Sequence, residues 1–319
     1  MITVLVTGCN GTVGRHVTKA LLDGGHRVVG VSLEDRCALS HAELGYRTLD
    51  ITDYNATRQL LQEWTFDALV HLAALVHVPS RHLGFADYNR VNYRASEHLF
   101  RQAARQGIRR MLIASTIEVY GQTPSHQAVN EDAPCHPESD YARTKLLAEE
   151  ALAQVAEESS SSYAILRLAP VYASDFRVNL DKRLYLRAPV GYYLSKGDYQ
   201  LGLCSAHNVA HFVTRWLELE NPNSGIFNVA DGRIYPIKEL LERERQAGRC
   251  KITLRLPYAP CLAGVAALQT ILTIIGRQPG MVTVDNLRKL VRSTEWDTHR
   301  AQSVVGALPW TLDNTSGLD

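Results

Sequence analysis

Ile2-Thr3-Val4-Leu5-Val6-Thr7-Gly8-Cys9-Asn10-Gly11-Thr12-Val13-Gly14 opens the chain, and its reading decides the fold. A β-branched apolar run passes directly into glycines spaced G-x-x-G-x-x-G. A helical pattern follows, with Val17, Ala20, Leu21 and Leu22 on its apolar face. Gly8 permits a tight turn, Gly11 lets backbone approach a pyrophosphate, and Gly14 lets the helix pack on the strand. The N-terminus of that helix offers N–H groups and its dipole to negative charge. The segment predicts a dinucleotide site that includes Asn10, Thr12 and Val13; an ordinary strand-to-helix turn is the plainer alternative.

Outward from that turn, strands and helices alternate through the first 170 residues. Strands are predicted at Ile2–Thr7, Arg27–Ser32, Tyr46–Leu49, Ala68–Ala73, Met111–Ser115 and Tyr163–Leu168. Helices are predicted at Arg15–Leu22, Tyr54–Trp64, Asn89–Gln106 and Tyr141–Glu157. This alternation specifies an α/β fold, a Rossmann-type doubly wound parallel sheet covered on both faces. After Pro170 the pattern breaks, and Ala173–Gln200 has no clear period. Short elements at His207–Leu219, Ile226–Val229, Ile237–Arg245 and Ile252–Leu256 follow. We therefore divide the chain into a dinucleotide-binding unit, 1–170, and a smaller C-terminal substrate lobe, 171–319, with segments returning to the sheet.

Composition narrows the class. With 34 basic and 33 acidic residues the chain lacks the charge excess of a nucleic-acid binder. The immediate first strand, with Arg15 behind the glycines, leaves no secretory signal pattern, and a cytoplasmic location is expected. Cys9, Cys37, Cys135, Cys204, Cys250 and Cys261 are widely spaced, which suits neither a metal site nor a disulfide framework. The most apolar stretch, Cys261–Ile275, reaches roughly 22 Å as a helix, short of a bilayer core of about 30 Å. It is expected to be a buried or substrate-lining helix, with no membrane span.

Further motifs resemble, in order, those of the extended short-chain dehydrogenase/reductase family, of the NAD-dependent epimerase/dehydratase type. After the glycine turn come Leu49-Asp50-Ile51-Thr52-Asp53, then His71-Leu72-Ala73-Ala74 and a helix asparagine, Asn92. Ser115-Thr116-Ile117-Glu118-Val119-Tyr120-Gly121 and the Y-x-x-x-K pair Tyr141 and Lys145 complete the series. The resemblance implies cofactor contacts from Asp50 and Ile51 at the adenine, from Leu72, Ala73 and Ala74 beside the dinucleotide, and from Asn92 and Pro170. It also implies that Lys145 holds the nicotinamide ribose and that Thr116 orients the substrate oxygen. A homodimer joined through the 89–106 and 141–157 helices is a further implication, consistent with the apolar positions Leu146, Leu147, Ala151 and Leu152.

The chemistry of the pair also follows from its residues. Tyr141 and Lys145 lie four apart on a predicted helix, so both project from one face. An ammonium there favours phenolate and is expected to lower the tyrosine from its usual value near 10. Tyr141 then exchanges a proton with a carbinol or ketone while hydride moves to or from the nicotinamide.

Glu118 matches the T-[DS]-E-V-Y-G pattern of family members that dehydrate or decarboxylate nucleotide sugars. Ile117, however, stands where those enzymes carry an acid or hydroxyl, so a catalytic role and a structural or substrate-positioning role both stay open. The family's Q-x-R-D-[FW] segment corresponds to Gln200-Leu201-Gly202-Leu203-Cys204, with Gly202 replacing the arginine that grips a substrate diphosphate. Arg177, Lys182, Arg183 and Arg187 are candidate substitutes. Ala206-His207-Asn208-Val209-Ala210-His211 and the apolar 261–275 stretch are instead similar to the 3β-hydroxysteroid dehydrogenase-like branch.

The leading expectation is an NAD(P)-dependent oxidoreductase acting on a secondary alcohol or ketone of a small, partly apolar substrate. The alternative is an epimerase, dehydratase or decarboxylase of a nucleotide-linked sugar, with transient hydride transfer. A non-catalytic cofactor-sensing protein is the minor alternative. For the dinucleotide, Ser32 falls where NAD-preferring relatives place an acid. Ser32 with Arg36 favours NADP slightly over NAD, while Glu34 and Asp35 argue for NAD.

Overall fold

The computed structural model describes residues 1–76, 83–122, 127–275, 283–293 and 295–315. Seven strands form one parallel sheet, in the order Gly225–Val229, Ser162–Leu168, Arg110–Thr116, Ala68–His71, Thr3–Thr7, Arg27–Ser32 and Leu44–Thr48. Alternation along the strands builds the two cores. Val4, Val6, Val28, Val70, Leu112 and Leu166 face one side, where the helices Thr12–Asp23 and Ala206–Glu218 pack. Leu5, Val29, Leu69, Met111, Ile113 and Ile165 face the other, against Tyr54–Glu63, Ser96–Arg105 and Asp140–Ser159. A strand buried on both faces reads as continuous hydrophobic sequence, which is why these were legible.

The order reverses direction between Thr3–Thr7 and Ala68–His71, and ligands of doubly wound sheets bind in the crevice at that switch point. The strand expected to reach Ala73 stops at His71, because the Leu72 and Ala73 amides turn to donate to Thr7 Oγ1, each at 3.2 Å. The third strand is shifted to Leu44–Thr48, with Leu49 N adding one more bond, to Ser32 O at 2.8 Å. The helix expected from Asn89 begins at Phe85 and runs to Arg105, its middle wound as a π-helix over Asn89–Ala95.

The small lobe has its own core, in which Leu180, Leu184, Tyr192, Leu201, Tyr235 and Leu240 are buried together. The stretch without sequence period contains the helix Val178–Leu184 and the strand Val190–Leu194. Asp231 fastens this lobe to the sheet. Its carboxylate accepts from Tyr172 Oη (2.8 Å), Tyr235 Oη (2.9 Å), Ser205 N (2.7 Å) and Asn208 Nδ2 (3.0 Å). Burial nevertheless pushes its pKa up to about 6.

One expectation is overturned. The apolar stretch forms the helix Tyr258–Ile274, and none of its residues is buried. Tyr258 and Cys261 pack on the lobe core at its base, Gln269 Oε1 accepts from Val284 N at 3.2 Å, and Leu268, Ile271 and Ile274 stay exposed.

Candidate active site

Gly8 has φ +70, and a Cβ there would stand 2.8 Å from Ala73 N, so only glycine lets the first and fourth strand ends approach. A Cβ on Gly14 would overlap the Gly8 carbonyl oxygen. Gly11 N donates to Gly8 O at 3.0 Å, and the helix beginning at Thr12 has no side-chain cap. Its first-turn amides, Thr12, Val13 and Gly14, are the orphan donors of a helix start. This cradle fits a pyrophosphate. Arg15, one residue on, pairs with Asp175 at 2.7 Å and joins the turn to the small lobe.

Beyond the second strand, Asn10 organises the loop. Its Nδ2 donates to Arg36 O at 2.8 Å and to Glu34 Oε2 at 3.4 Å, and its Oδ1 accepts from Ala38 N at 2.9 Å. The Ser32 hydroxyl donates to the Glu34 carboxylate, which these bonds hold below the usual carboxylate range. The acidic group at this strand end is therefore Glu34, one turn beyond the position read from sequence, with Ser32 serving it. At the next strand end, Asp50 Oδ1 accepts from Thr52 N at 2.8 Å, Ile51 is buried, and Asp53 caps the following helix.

A buried chain of hydrogen bonds shapes the wall beside Ala73 and Ala74. Thr7 Oγ1 already accepts two amides, so its proton goes to His71 Nδ1 at 2.7 Å. His71 Nε2–H then donates to Ser96 Oγ (2.8 Å), which donates to Asn92 O (2.8 Å). Burial, assisted by the charge of Lys145, pushes His71 down to about 3 and keeps it neutral. Asn92 sits in the π-helical turn, fully buried. Its Oδ1 accepts from Leu75 N at 2.7 Å and its Nδ2 donates to Leu75 O at 2.9 Å, so it pins the loop. π-turns inside helices recur at functional sites. Pro170, at the far strand end, contributes its carbonyl to Cys204 N at 3.1 Å.

The helix Asp140–Ser159 starts at the Ser139 cap, whose Oγ accepts from Ala142 N at 3.1 Å. It carries Tyr141, Lys145 and Glu149 at four-residue steps. Lys145 is 2% exposed, and burial lowers its ammonium to about 8 against the upward pull of Glu149. The expected lowering of Tyr141 is not what the protein alone produces. Burial raises its phenol above the ordinary tyrosine range, and Glu118 and Tyr88 raise it further. Lys145 acts instead on His71, and its own charge is weakened by enclosure.

Tyr88 was not singled out in the sequence; its ring lies edge-on to Tyr141, centroids 6.2 Å apart. Thr116 Oγ1 accepts from Glu118 N at 3.2 Å, leaving its hydroxyl proton for a substrate oxygen. Glu118 is exposed and reached weakly by Ser139 Oγ at 3.5 Å. Ile117 is half-buried and packs against the hydrophobic core.

Four basic residues were candidates for a substrate anion. Arg177 is taken by Glu244, at 2.7 Å, and Lys182 and Arg187 are exposed. Arg183 lies within electrostatic reach of Glu118 and Tyr192, and burial depresses its guanidinium.

The sequence pattern of the NAD dependent epimerase/dehydratase family matches residues 4–230. The chain belongs to this family. A UDP-glucose 4-epimerase of Azospirillum brasilense is 31% identical over 176 residues, covering 54% of this chain and 50% of that protein. UDP-arabinose 4-epimerase 1 of Arabidopsis thaliana is 26% identical over 300 residues, covering 82% and 70%. Against the first of these relatives the chain spans about half the length. Among solved structures, the UDP-glucose 4-epimerase of Thermotoga maritima with UDP-glucose superposes with TM-score 0.76 at 20% identity, covering 98% and 96%. MoeE5 in complex with UDP-glucuronic acid and NAD gives 0.74 at 24%, covering 97% and 94%. At such identities the likeness shows the shared Rossmann-type fold. The printed activities of these relatives are those of the nucleotide-sugar alternative, not of net oxidation of a partly apolar alcohol.

Proposed function

We propose that this protein is an NAD-dependent epimerase of a nucleotide-linked sugar, removing hydride from a ring carbon and returning it to the opposite face. The observation that carries the reading is Ile117, a half-buried apolar side chain that packs against the core and stands between Thr116 and Glu118 in the chain. Dehydration needs an acid and a base across the breaking bond, and half of that pair is absent here. Inversion at a carbinol needs one acid/base, and Tyr141 supplies it. Family membership and the named activities of the relatives support the same choice.

Thr116 donates to the substrate oxygen and fixes it toward Tyr141. Tyr141 takes the hydroxyl proton as the carbonyl forms and gives it back as the carbinol re-forms. The nicotinamide, when bound, supplies the hydride acceptor and a positive charge that offsets the raised phenol. Lys145 would hold the nicotinamide ribose, and Glu118 positions the sugar. With Gly202 lacking a side chain, Arg183 binds the anionic part of the substrate. Glu34 selects NAD, because its carboxylate accepts two ribose hydroxyls and repels a 2′-phosphate. For assembly, the reading includes an isologous dimer through the 85–105 and 140–159 helices, in which the half-buried Leu147 would become covered.

The test is to incubate purified protein, without added cofactor, with UDP-glucose, UDP-arabinose and UDP-glucuronic acid and follow the anomeric protons by NMR. An equilibrium of C4 epimers, with no accumulation of reduced dinucleotide, is expected. Stoichiometric reduction of added NAD with a keto product, and no epimer, would overturn the proposal in favour of a net oxidoreductase.

A further inference from the structure

The helix Tyr258–Ile274 carries no charged residue. Leu268 is 44% exposed, Ile271 56% and Ile274 78%, with Ile275 at 59% just beyond. At 100° per residue the exposed positions Ala267, Leu268, Thr270, Ile271, Thr273 and Ile274 sweep roughly 220° of the circumference. A globular helix hides an apolar stripe and shows a polar face, whereas a helix apolar all round is enclosed by core or by lipid. No core encloses this one among the described residues, and a second copy of the chain would cover one stripe and leave the rest in water.

The strand Ile252–Leu256 leads through Pro257 into the helix and lies at the edge of a three-stranded sheet. It extends the same surface with Ile252, 56% exposed, and Leu254, 39%. Cations gather at the base of the helix. Arg255 Nε donates to Ser195 O at 2.7 Å, beside the exposed Lys196. Segments 195–198 and 252–257 hold these two cations against one carboxylate, Asp198. At 1.5 Å per residue the helix is about 26 Å long, and no helix among the described residues is long and apolar enough to cross a membrane.

We propose that Tyr258–Ile274 docks the protein on an anionic phospholipid surface. The exposed face enters one leaflet without crossing it, and Lys196 and Arg255 meet the headgroups.

Flotation of the full chain with vesicles of phosphatidylethanolamine and phosphatidylglycerol tests this. Most of the protein is expected in the vesicle fraction, and the Ile271→Asp/Ile274→Asp double variant should lower the bound fraction at least about tenfold with NAD binding unchanged. As a measurement that does not depend on that variant folding, Ile274→Trp should be quenched by brominated acyl chains beyond the wild-type signal. Absence of wild-type flotation, equal flotation of the double variant, or no added quenching would each overturn the proposal. So would a vesicle-free dimer that the double variant dissociates while the wild type fails to float.

Discussion

Glu149 meets Arg167 at 2.8 Å, with the two side chains 3% and 4% exposed. The pair lies one helical turn beyond Lys145, and three segments depend on it. Ser115 donates to Glu149, Arg167 Nη1 donates to Glu131 O at 3.4 Å, and the Arg167 guanidinium lies 4.7 Å from the centroid of the Tyr120 ring. Tyr120 then donates to Asn228 Oδ1 at 2.7 Å on the outermost strand. The Ser115–Gly121 segment that carries Thr116 and Glu118 is therefore braced from below by an enclosed charge pair.

Removing one member of such a pair strands the other. Glu149→Gln is expected to cost about 3–5 kcal/mol in urea unfolding. The double variant Glu149→Gln/Arg167→Met should recover most of that loss, since no charge is then left unpartnered. A double variant no better than the single one would show that the pair acts through packing rather than charge.

Lys145 gives a pH-dependent prediction. Its folded pKa is about 8, below the ordinary lysine value of 10.5. Between these limits the unfolded chain binds more protons, so stability rises with pH across the window. Below pH 8 the buried ammonium withholds stability on the order of 3 kcal/mol. Lys145→Met should therefore raise the Tm at pH 7 and abolish turnover, with the stability gain fading as the pH approaches 10.5. A variant less stable than wild type at pH 7 would contradict this account of the lysine.

Much of this arrangement was legible in the sequence, because local rules dictate it. Strand alternation, the glycine turn and the four-residue spacing of Tyr141 and Lys145 each act over a few residues. Glu149 continues that spacing by one more step and could have been found. What local reading missed depends on tertiary approach. Arg167 is 18 residues from Glu149, Tyr88 is 53 from Tyr141, and Asp175 is 160 from Arg15. The hold of Asn10 on 36–38, which accompanies the contact of Ser32 with Glu34 at the strand end, is likewise not revealed by sequence spacing. The environment of Tyr141 was misjudged for a related reason. Enclosure and the neighbouring Glu118 and Tyr88 set the phenol, and burial cannot be counted along a chain.

The Asn10 clamp makes cofactor choice testable. Glu34→Ala removes a carboxylate that is held by Ser32 and Asn10 and that the proposed reading assigns to the adenosine ribose. Loss of charged hydrogen bonds worth about 1.5–3 kcal/mol should weaken NADH binding at least about tenfold. NADPH binding should be unchanged or tighter, because a repulsive charge is gone. Fluorescence titration of both dinucleotides reads this directly. Tighter NADPH than NADH binding in the wild-type protein would return the choice to Ser32 and Arg36.

Tyr141 and Arg183 should separate chemistry from binding. Tyr141→Phe keeps the edge-on contact with Tyr88 but removes the proton-transfer atom, so kcat should fall at least about a hundredfold with KM and NAD affinity little changed. Arg183→Leu leaves that atom in place and removes the cation beside Glu118 and Tyr192. Its expected signature is a KM raised at least about tenfold, a smaller change in kcat, and partial recovery in Arg183→Lys, which restores the charge but not the two-pronged geometry. Because Glu118 opposes the ionisation of Tyr141, whose phenolate takes the substrate proton, Glu118→Gln should also move the acid limb of the kcat profile toward lower pH. An unmoved pH profile would show that Glu118 touches the sugar without acting on the phenol, and an unchanged KM in Arg183→Leu would place the anionic part of the substrate elsewhere in the cleft.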